Sequence, residues 1–199
     1  PVHAADTDNY AKLLQYSMYF YDGNMCGSAV GETSAFDWRD DCHTGDEVVG
    51  GFHDAGDHVK FGLPAGYSAS TLGWGYYEFK DSYDSLGQTA HLKMITDYFC
   101  DYFKNCTVLS GDTVTNFCYQ IGEGGGGADH GYWGPPETQE AIKGDRKEFW
   151  TTNGASDIAA EYAAALAMNY INFGNAEDLK YAKALYKFST QYNANSATL

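Results

Sequence analysis

Basic residues are scarce in this 199-residue sequence, which has 12 Lys and Arg against 27 Asp and Glu and a formal net charge of −15. A surface of that sign repels phosphate backbones and anionic lipids, so neither nucleic acid nor a membrane surface is an expected partner. No stretch approaches the roughly 18 consecutive apolar residues of a membrane span. The negative charge does not oppose the binding of neutral substrates.

Linkers and low-complexity segments are also missing, and there are only four prolines. A chain of this length can bury a sizeable core, so one domain is expected. Its first ten residues, PVHAADTDNY, include small residues at Val2 and Ala4, as in the tail of a cleaved export signal. This pattern favours secretion.

Aromatic residues are abundant, at 16% of the chain with 17 Tyr and 4 Trp. They predict either an aromatic-rich core or a surface that stacks on the flat faces of sugar rings. Composition leaves both interpretations open.

Apolar periodicity and capping residues predict an all-α protein with long loops. The predicted helices cover residues 10–21, 65–79, 89–104, 156–173 and 176–192. We expect Asp8 or Asn9 to cap the first helix and Ser156 to cap the fourth. Residues 107–122 are predicted to form a short hairpin around Gly111 and Asp112.

Two carboxylates lie close together in GGFHDAGDHVKFGLP, residues 50–64, which has neither helical nor strand periodicity. One carboxylate, of Asp54 or Asp57, can accept a proton from water while the other orients that water. Because like charges repel, their proximity also separates their two pKa values. The alternative is a structural loop in which both carboxylates bind backbone N–H groups.

A second motif, DHGYWGPPE, frames His130 and Trp133 with glycine and proline. His130 could donate a hydrogen bond to a sugar hydroxyl, and Trp133 could stack on a sugar ring. A buried Trp beside a satisfied His is the structural alternative.

The sequence has five cysteines, two of which lie near histidines. Cys26, Cys42 and His43 suit a zinc site that needs one more ligand, for which His58 is the candidate and His53 the reserve. A Cys26–Cys42 disulfide is an equal alternative. A second pair, Cys106 and Cys118, flanks the hairpin and could bond or remain as buried thiols.

These motifs, in this order and spacing, resemble glycoside hydrolase family nine, the endo-β-1,4-glucanases of cellulose-degrading bacteria, plants and some animals. The resemblance runs from about Tyr10 to the C-terminus and also includes YSASTLGWGYYEF and GASDIAAEYAAALAMNYINF. DAGDHVKFGLP is its most specific part.

The resemblance implies about six helices of an (α/α)6 barrel, with residues 1–199 as the N-terminal portion of one catalytic domain. It implies inverting hydrolysis of β-1,4-glucan by a secreted enzyme, with Asp57 as general base and Asp54 holding the water. His130 and Trp133 match sugar-contacting positions of the family.

Other parts of the family pattern are expected outside this chain. The general acid, a Glu, belongs to a C-terminal motif, and a calcium site is expected there as well. No cofactor is required for the chemistry, and a structural zinc is implied only for the subgroup with Cys and Cys-His at these positions. A second segment is therefore expected to complete the barrel.

Rival functions remain open. The chain could be a carbohydrate-binding protein without hydrolytic activity, or a structural protein in which DAGD is only a loop. Within the family, exo-acting or processive cleavage is the alternative to internal cleavage.

Overall fold

The computed structural model describes residues 9–125, 129–139 and 146–195. Six α-helices and four β-strands lie in these ranges. The helices are α1 (Tyr10–Asn24), α2 (Val30–Thr33), α3 (Gly62–Ser85), α4 (Thr89–Asn105), α5 (Ser156–Phe173) and α6 (Ala176–Tyr192). The strands are β1 (Lys60–Phe61), β2 (Thr107–Ser110), β3 (Thr113–Ile121) and β4 (Glu148–Thr151).

All five predicted helices are present, with ends that differ by up to six residues. Asn9 caps α1 through a 3.0 Å hydrogen bond from the Lys12 backbone N–H, as expected for one of the two candidates, whereas Asp8 lies outside the described residues. The cap predicted at Ser156 is wrong. The N-cap position of α5 is Ala155, and the Ser156 hydroxyl oxygen instead accepts a hydrogen bond from the Ala194 N–H at 2.9 Å.

Helices α3 and α5 approach closely because small residues line their contact. A Cβ atom at Gly66 would lie 2.6 Å from the Cβ of Glu161, and one at Gly62 would lie 2.4 Å from the carbonyl oxygen of Tyr119. Any larger residue at these two positions would push the helix away from its neighbours.

The predicted hairpin is present and forms part of a larger antiparallel sheet. Strand β3 pairs with β2 over its first half and with β1 and β4 over its second half. Gly111 forms the turn with φ of +63°, a value that glycine adopts without strain. The sequence pattern did not reveal β1 and β4, because strands of two and four residues are too short to establish a period.

The core lies between α4, α5 and the sheet and is rich in aromatic rings. Phe103 stacks on Tyr162 with ring centroids 3.7 Å apart, and Phe117 meets the same tyrosine edge-on at 5.4 Å. All three rings are buried. An aromatic-rich core, one of the two interpretations of the composition, is therefore present.

Helices α1 and α3 also expose large apolar side chains. The exposed residues of these two helices include Tyr10, Leu13, Tyr16, Phe20, Tyr67, Trp74 and Tyr77. Among the helices of the described ranges, none combines the length and apolar character that a bilayer crossing requires.

A buried ion cluster joins the irregular segments beside the sheet. Asp46 Oδ2 lies 2.7 Å from both Lys60 Nζ and Arg146 Nη2, and the three side chains are each 1% exposed. Lys60 also donates to the carbonyl oxygens of Val48 and Gly50, at 3.1 and 3.0 Å. The cluster thus fixes both the segment before the DAGD sequence and the strand after it.

Replacing Asp46 with Asn should destabilise the fold strongly at neutral pH. Removing one partner leaves two buried cations uncompensated, which costs about 3–5 kcal/mol in the free energy of unfolding. Burial alone would raise the pKa of Asp46, but hydrogen bonds from Arg146 and the charge of Lys60 hold this pKa below its ordinary value. A lowered pKa stabilises the folded state above about pH 4, and this contribution disappears as the pH falls through the folded-state pKa.

Denaturant unfolding at pH 7 and pH 3 measures this effect. The difference in the free energy of unfolding between the wild type and Asp46→Asn should be large at pH 7 and smaller at pH 3. The exposed helical residue Asp81 provides the matched variant, Asp81→Asn, which should change stability little. An equal loss of unfolding free energy in both variants at pH 7 would contradict the stabilising role of the Asp46 cluster.

Candidate functional site

The DAGD loop presents its two carboxylates in different environments. Asp57 is 3% exposed, whereas Asp54 lies at the surface. The Asp54 N–H donates to the Val59 carbonyl oxygen at 3.1 Å, which closes the loop around both residues. Partial burial, and then the negative charge of Asp57, raise the pKa of Asp54 above its ordinary value.

His130 contacts Asp57 directly. Its Nδ1 lies 2.6 Å from Asp57 Oδ2, with the imidazole 46% exposed above the buried carboxylate. A carboxylate only accepts hydrogen bonds, so Nδ1 carries the proton in this pair. Two residues that the sequence assigned to different motifs, one to proton transfer and one to sugar contact, therefore form one unit.

Trp133 lies over the same loop. Its indole N–H donates to the His130 carbonyl oxygen at 3.0 Å, and the side chain is 67% exposed. A Cβ at Gly56 would lie 2.4 Å from the indole ring, so only glycine between the two carboxylates lets the ring rest there. The structural alternative of a buried Trp does not hold, because this ring presents most of its surface to solvent.

A buried cluster of two thiols and two imidazoles lies behind the DAGD loop. The ligand atoms of Cys26, Cys42, His43 and His53 all lie within 4.8 Å of one another. His43 Nδ1 is 3.6 Å from Cys26 Sγ and 3.0 Å from His53 Nε2. Arg39 donates to Cys42 Sγ at 3.5 Å.

These distances fit a tetrahedral metal. Zinc bonds of about 2.0–2.3 Å place neighbouring S and N ligand atoms roughly 3.3–3.8 Å apart, and the Cys26–His43 and His43–His53 separations of 3.6 and 3.0 Å lie in or near this range. Burial lowers the pKa of His53 to about 4, so this imidazole is neutral at pH 7, as a ligand must be. Burial disfavours the Cys26 thiolate, but hydrogen bonding from Cys42 and the charge of Lys60 bring its pKa well below the ordinary value.

The fourth member of the cluster is His53, which the sequence analysis held in reserve. His58, the preferred candidate there, instead places Nδ1 2.6 Å from Gln139 Oε1. His53 and His58 lie immediately on either side of the DAGD motif, so spacing alone could not distinguish these two histidines as ligands. Cys26 and Cys42 are free thiols in the structure, as are Cys106 and Cys118.

Sequence reasoning missed the polar residues that join these groups. Asp46 and Arg146 are 100 residues apart, and Gln139 lies 96 residues from His43, which it contacts. A single sequence contains no signal for such long-range pairs. One hint of these contacts is present in the sequence: charged and amide residues occur in the same segments as the motifs.

The family model described as Glycosyl hydrolase family 9 matches residues 10–198. The chain is 37% identical to Endoglucanase 4 of Bacillus sp. (strain KSM-522) over 92% of its length, and 37% identical to Endoglucanase B of Cellulomonas fimi over 95%. It spans 30% and 18% of those proteins.

Solved structures agree with this match. The catalytic domain of Clostridium thermocellum CelT superposes with a TM-score of 0.88 at 42% identity, over 96% of this chain and 46% of that one. Endoglucanase CelQ of the same organism, complexed with cellotetraose, gives 0.85 at 38% identity, over 96% of this chain and 30% of that one. The chain thus spans less than half the length of these relatives. It belongs to glycosyl hydrolase family 9, and its helices form part of that family's (α/α)6 barrel.

Proposed function

We propose that this chain is the N-terminal portion of the catalytic domain of a secreted, inverting endo-β-1,4-glucanase that acts on cellulose or a related neutral glucan. The observation that carries the proposal is the Asp57–His130 pair beneath the exposed ring of Trp133. The names of the relatives and the cello-oligosaccharides bound to CelQ support the substrate class. The net charge of −15 does not oppose an uncharged polymer.

Asp57 acts as the general base. His130 holds Oδ2, so within the described residues Oδ1 is the oxygen left to accept a proton from the attacking water. The hydrogen bond from Nδ1–H also restrains the carboxylate in one orientation, which a base needs in order to act at a fixed atom. In the neutral imidazole, Nε2 accepts a hydrogen bond from a sugar hydroxyl; only the protonated ring donates one.

Asp54 positions the water. Both carboxylates lie on one loop, so they act on the same face of the scissile bond. Inversion needs an acid on the opposite face, with the acid and the base roughly 6.5–9.5 Å apart to admit the water. Because this chain spans 46% of the CelT domain, we assign the general acid, a Glu, to a part of the enzyme outside these 199 residues. A calcium site is expected there too.

The exposed aromatic faces of α1 and α3 receive the remaining helices of the barrel. Tyr67 and Trp74 are each 63% exposed, which is unusual for large apolar residues on a long helix. A further segment of the enzyme of which this chain is a part is the partner, since about half of the CelT domain has no counterpart in the chain. The chain alone is expected to be nearly inactive.

The buried cluster of Cys26, Cys42, His43 and His53 is a structural zinc site. When bound, zinc would join the segments that carry these residues, and it supplies no step of the hydrolysis. Two thiolates and two imidazoles form a closed ligand set with no position for water, as in other structural sites.

Replacing Asp57 with Asn in the enzyme that contains this chain should lower kcat by about 10²- to 10⁴-fold, the usual contribution of a general base. KM for cello-oligosaccharides should change little, because Asn keeps the shape of the side chain. Asp81→Asn should behave as wild type. A kcat of the Asp57→Asn enzyme within threefold of the wild-type value would contradict the proposal. Binding of cello-oligosaccharides without turnover by the wild type would indicate a carbohydrate-binding protein.

Replacing Trp133 with Ala should raise KM for soluble cello-oligosaccharides by about 5- to 30-fold, because the loss of a stacking surface worth roughly 1–2 kcal/mol weakens binding. Trp38 is 66% exposed and stacks on Phe36, so Trp38→Ala is a matched control that should leave KM unchanged. Equal KM values for wild type and Trp133→Ala would remove Trp133 from the sugar site.

Replacing Cys26 with Ala should abolish high-affinity zinc binding, measured by competition with a chromophoric chelator. Zinc at 1,000 times its Kd stabilises a folded protein by about 4 kcal/mol, so Tm of the wild type should fall when the metal is removed. Cys100 is buried outside the cluster, and Cys100→Ala should retain both zinc and its stabilising effect. Retention of one tightly bound zinc by Cys26→Ala would contradict the ligand set.

A further inference from the structure

The side chain of Gln139 is fully buried, at 0% exposure, and contacts three separate segments. Its Oε1 lies 2.8 Å from His43 Nε2 and 2.6 Å from His58 Nδ1. Its Nε2 donates to Asp129 Oδ1 at 3.0 Å. One amide group thus bridges the thiol and imidazole cluster, the DAGD loop and the loop that carries His130.

The orientation of this amide follows from the chemistry of its partners. The Asp129 carboxylate only accepts hydrogen bonds, and its other oxygen already accepts the Glu123 backbone N–H at 2.9 Å. The NH₂ group of Gln139 must therefore face Asp129. Oε1 then faces both imidazoles, and each imidazole must present an N–H to it.

This requirement fixes the tautomers of two histidines. His43 carries its proton on Nε2, which leaves the lone pair of Nδ1 free to face Cys26 and His53. His58 carries its proton on Nδ1. Histidines that bind metals commonly depend on such a hydrogen bond from the other ring nitrogen, and loss of this partner costs about 10- to 100-fold in metal affinity.

Gln139 also contacts the neighbour of each residue in the Asp57–His130 pair. His58 follows Asp57, and Asp129 precedes His130. A single buried side chain therefore restrains both halves of the pair, whose members lie 73 residues apart.

We propose that Gln139 is a positioning residue that fixes His43 as an Nδ1 metal ligand and couples the cluster to the two loops carrying Asp57 and His130. The part concerning metal affinity rests on the proposed zinc site. The part concerning tautomers stands on the hydrogen bonds alone.

Replacing Gln139 with Met tests both parts, because Met has a similar volume and no hydrogen-bonding amide. Zinc affinity is measured with zinc alone against a chromophoric chelator, and imidazole tautomers are measured by nitrogen-15 NMR of the metal-free protein. We expect Kd for zinc to rise about 10- to 100-fold. We also expect the Nε2–H tautomer of His43 and the Nδ1–H tautomer of His58 to be lost.

Gln120 provides a matched control. It is 5% exposed and donates to the Gly122 carbonyl oxygen at 2.9 Å, with no histidine among these contacts. The Gln120→Met variant removes a buried amide of the same kind, and we expect it to retain wild-type zinc affinity and tautomers. Equal losses in the two variants would overturn the proposal, because the effect would then reflect general destabilisation.

A reciprocal double variant, Gln139→Glu with Asp129→Asn, keeps the proposal falsifiable if Gln139→Met does not fold. The pair reverses the polarity of one hydrogen bond, since the new carboxylate accepts from the new amide and still accepts from both imidazoles. We expect zinc affinity within about threefold of wild type, and wild-type tautomers, for the double variant. Loss of both in this folded variant would contradict the proposal.

These readouts separate the inference from the proposed function, since neither involves a sugar. If the wild type binds no zinc, the zinc proposal fails. The measured tautomers of His43 and His58 still test the positioning role of Gln139. If Gln139→Met keeps wild-type tautomers and zinc affinity, the positioning role is wrong whatever the enzyme hydrolyses.

Discussion

Buried polar groups without water must find partners within the protein, and this constraint governs the site. The segment from Cys42 to Phe61 has little regular structure, so its polar groups find partners in other segments; the Gly51 carbonyl oxygen, for example, accepts the Cys26 N–H. Side chains supply further partners: Lys60 and Arg146 of the Asp46 ion cluster donate to carbonyl oxygens of this segment, and Gln139 accepts from the imidazoles of His43 and His58. The helices and the sheet supply the core, but these contacts fix the carboxylate loop.

The same constraint explains why glycine occurs where the loops meet. Trp133 can rest on the DAGD loop only because Gly56 has no side chain, and that contact carries the indole to the edge of the carboxylate pair. The exposed ring, the half-exposed His130 and the buried Asp57 then form successive layers from solvent inward. Such an arrangement suits a polymer that stacks on the surface while water is activated beneath it.

Local signals predicted the helices: an apolar stripe for residues 89–104, and capping residues or an alanine-rich composition for others. The motifs were found because their residues are close in the chain. For the fourth metal ligand, sequence reasoning preferred His58 to His53, and this preference is wrong. Both histidines flank DAGD, and only the fold decides which imidazole faces Cys26. Sequence reasoning also placed a cap at Ser156, whose hydroxyl instead binds the backbone beyond α6. Each of these misses concerns a contact between segments far apart in sequence, which local pattern does not encode.

The proposed mechanism depends on Asp57 removing the proton from the attacking water. Chemical rescue of an Asp57→Ala enzyme by azide tests it most directly, because azide needs no base and fits the space the carboxylate leaves. We expect azide to restore cleavage of a cello-oligosaccharide and to form a glycosyl azide of α configuration, identified by proton NMR. Absence of rescue, or an azide product of β configuration, would contradict it.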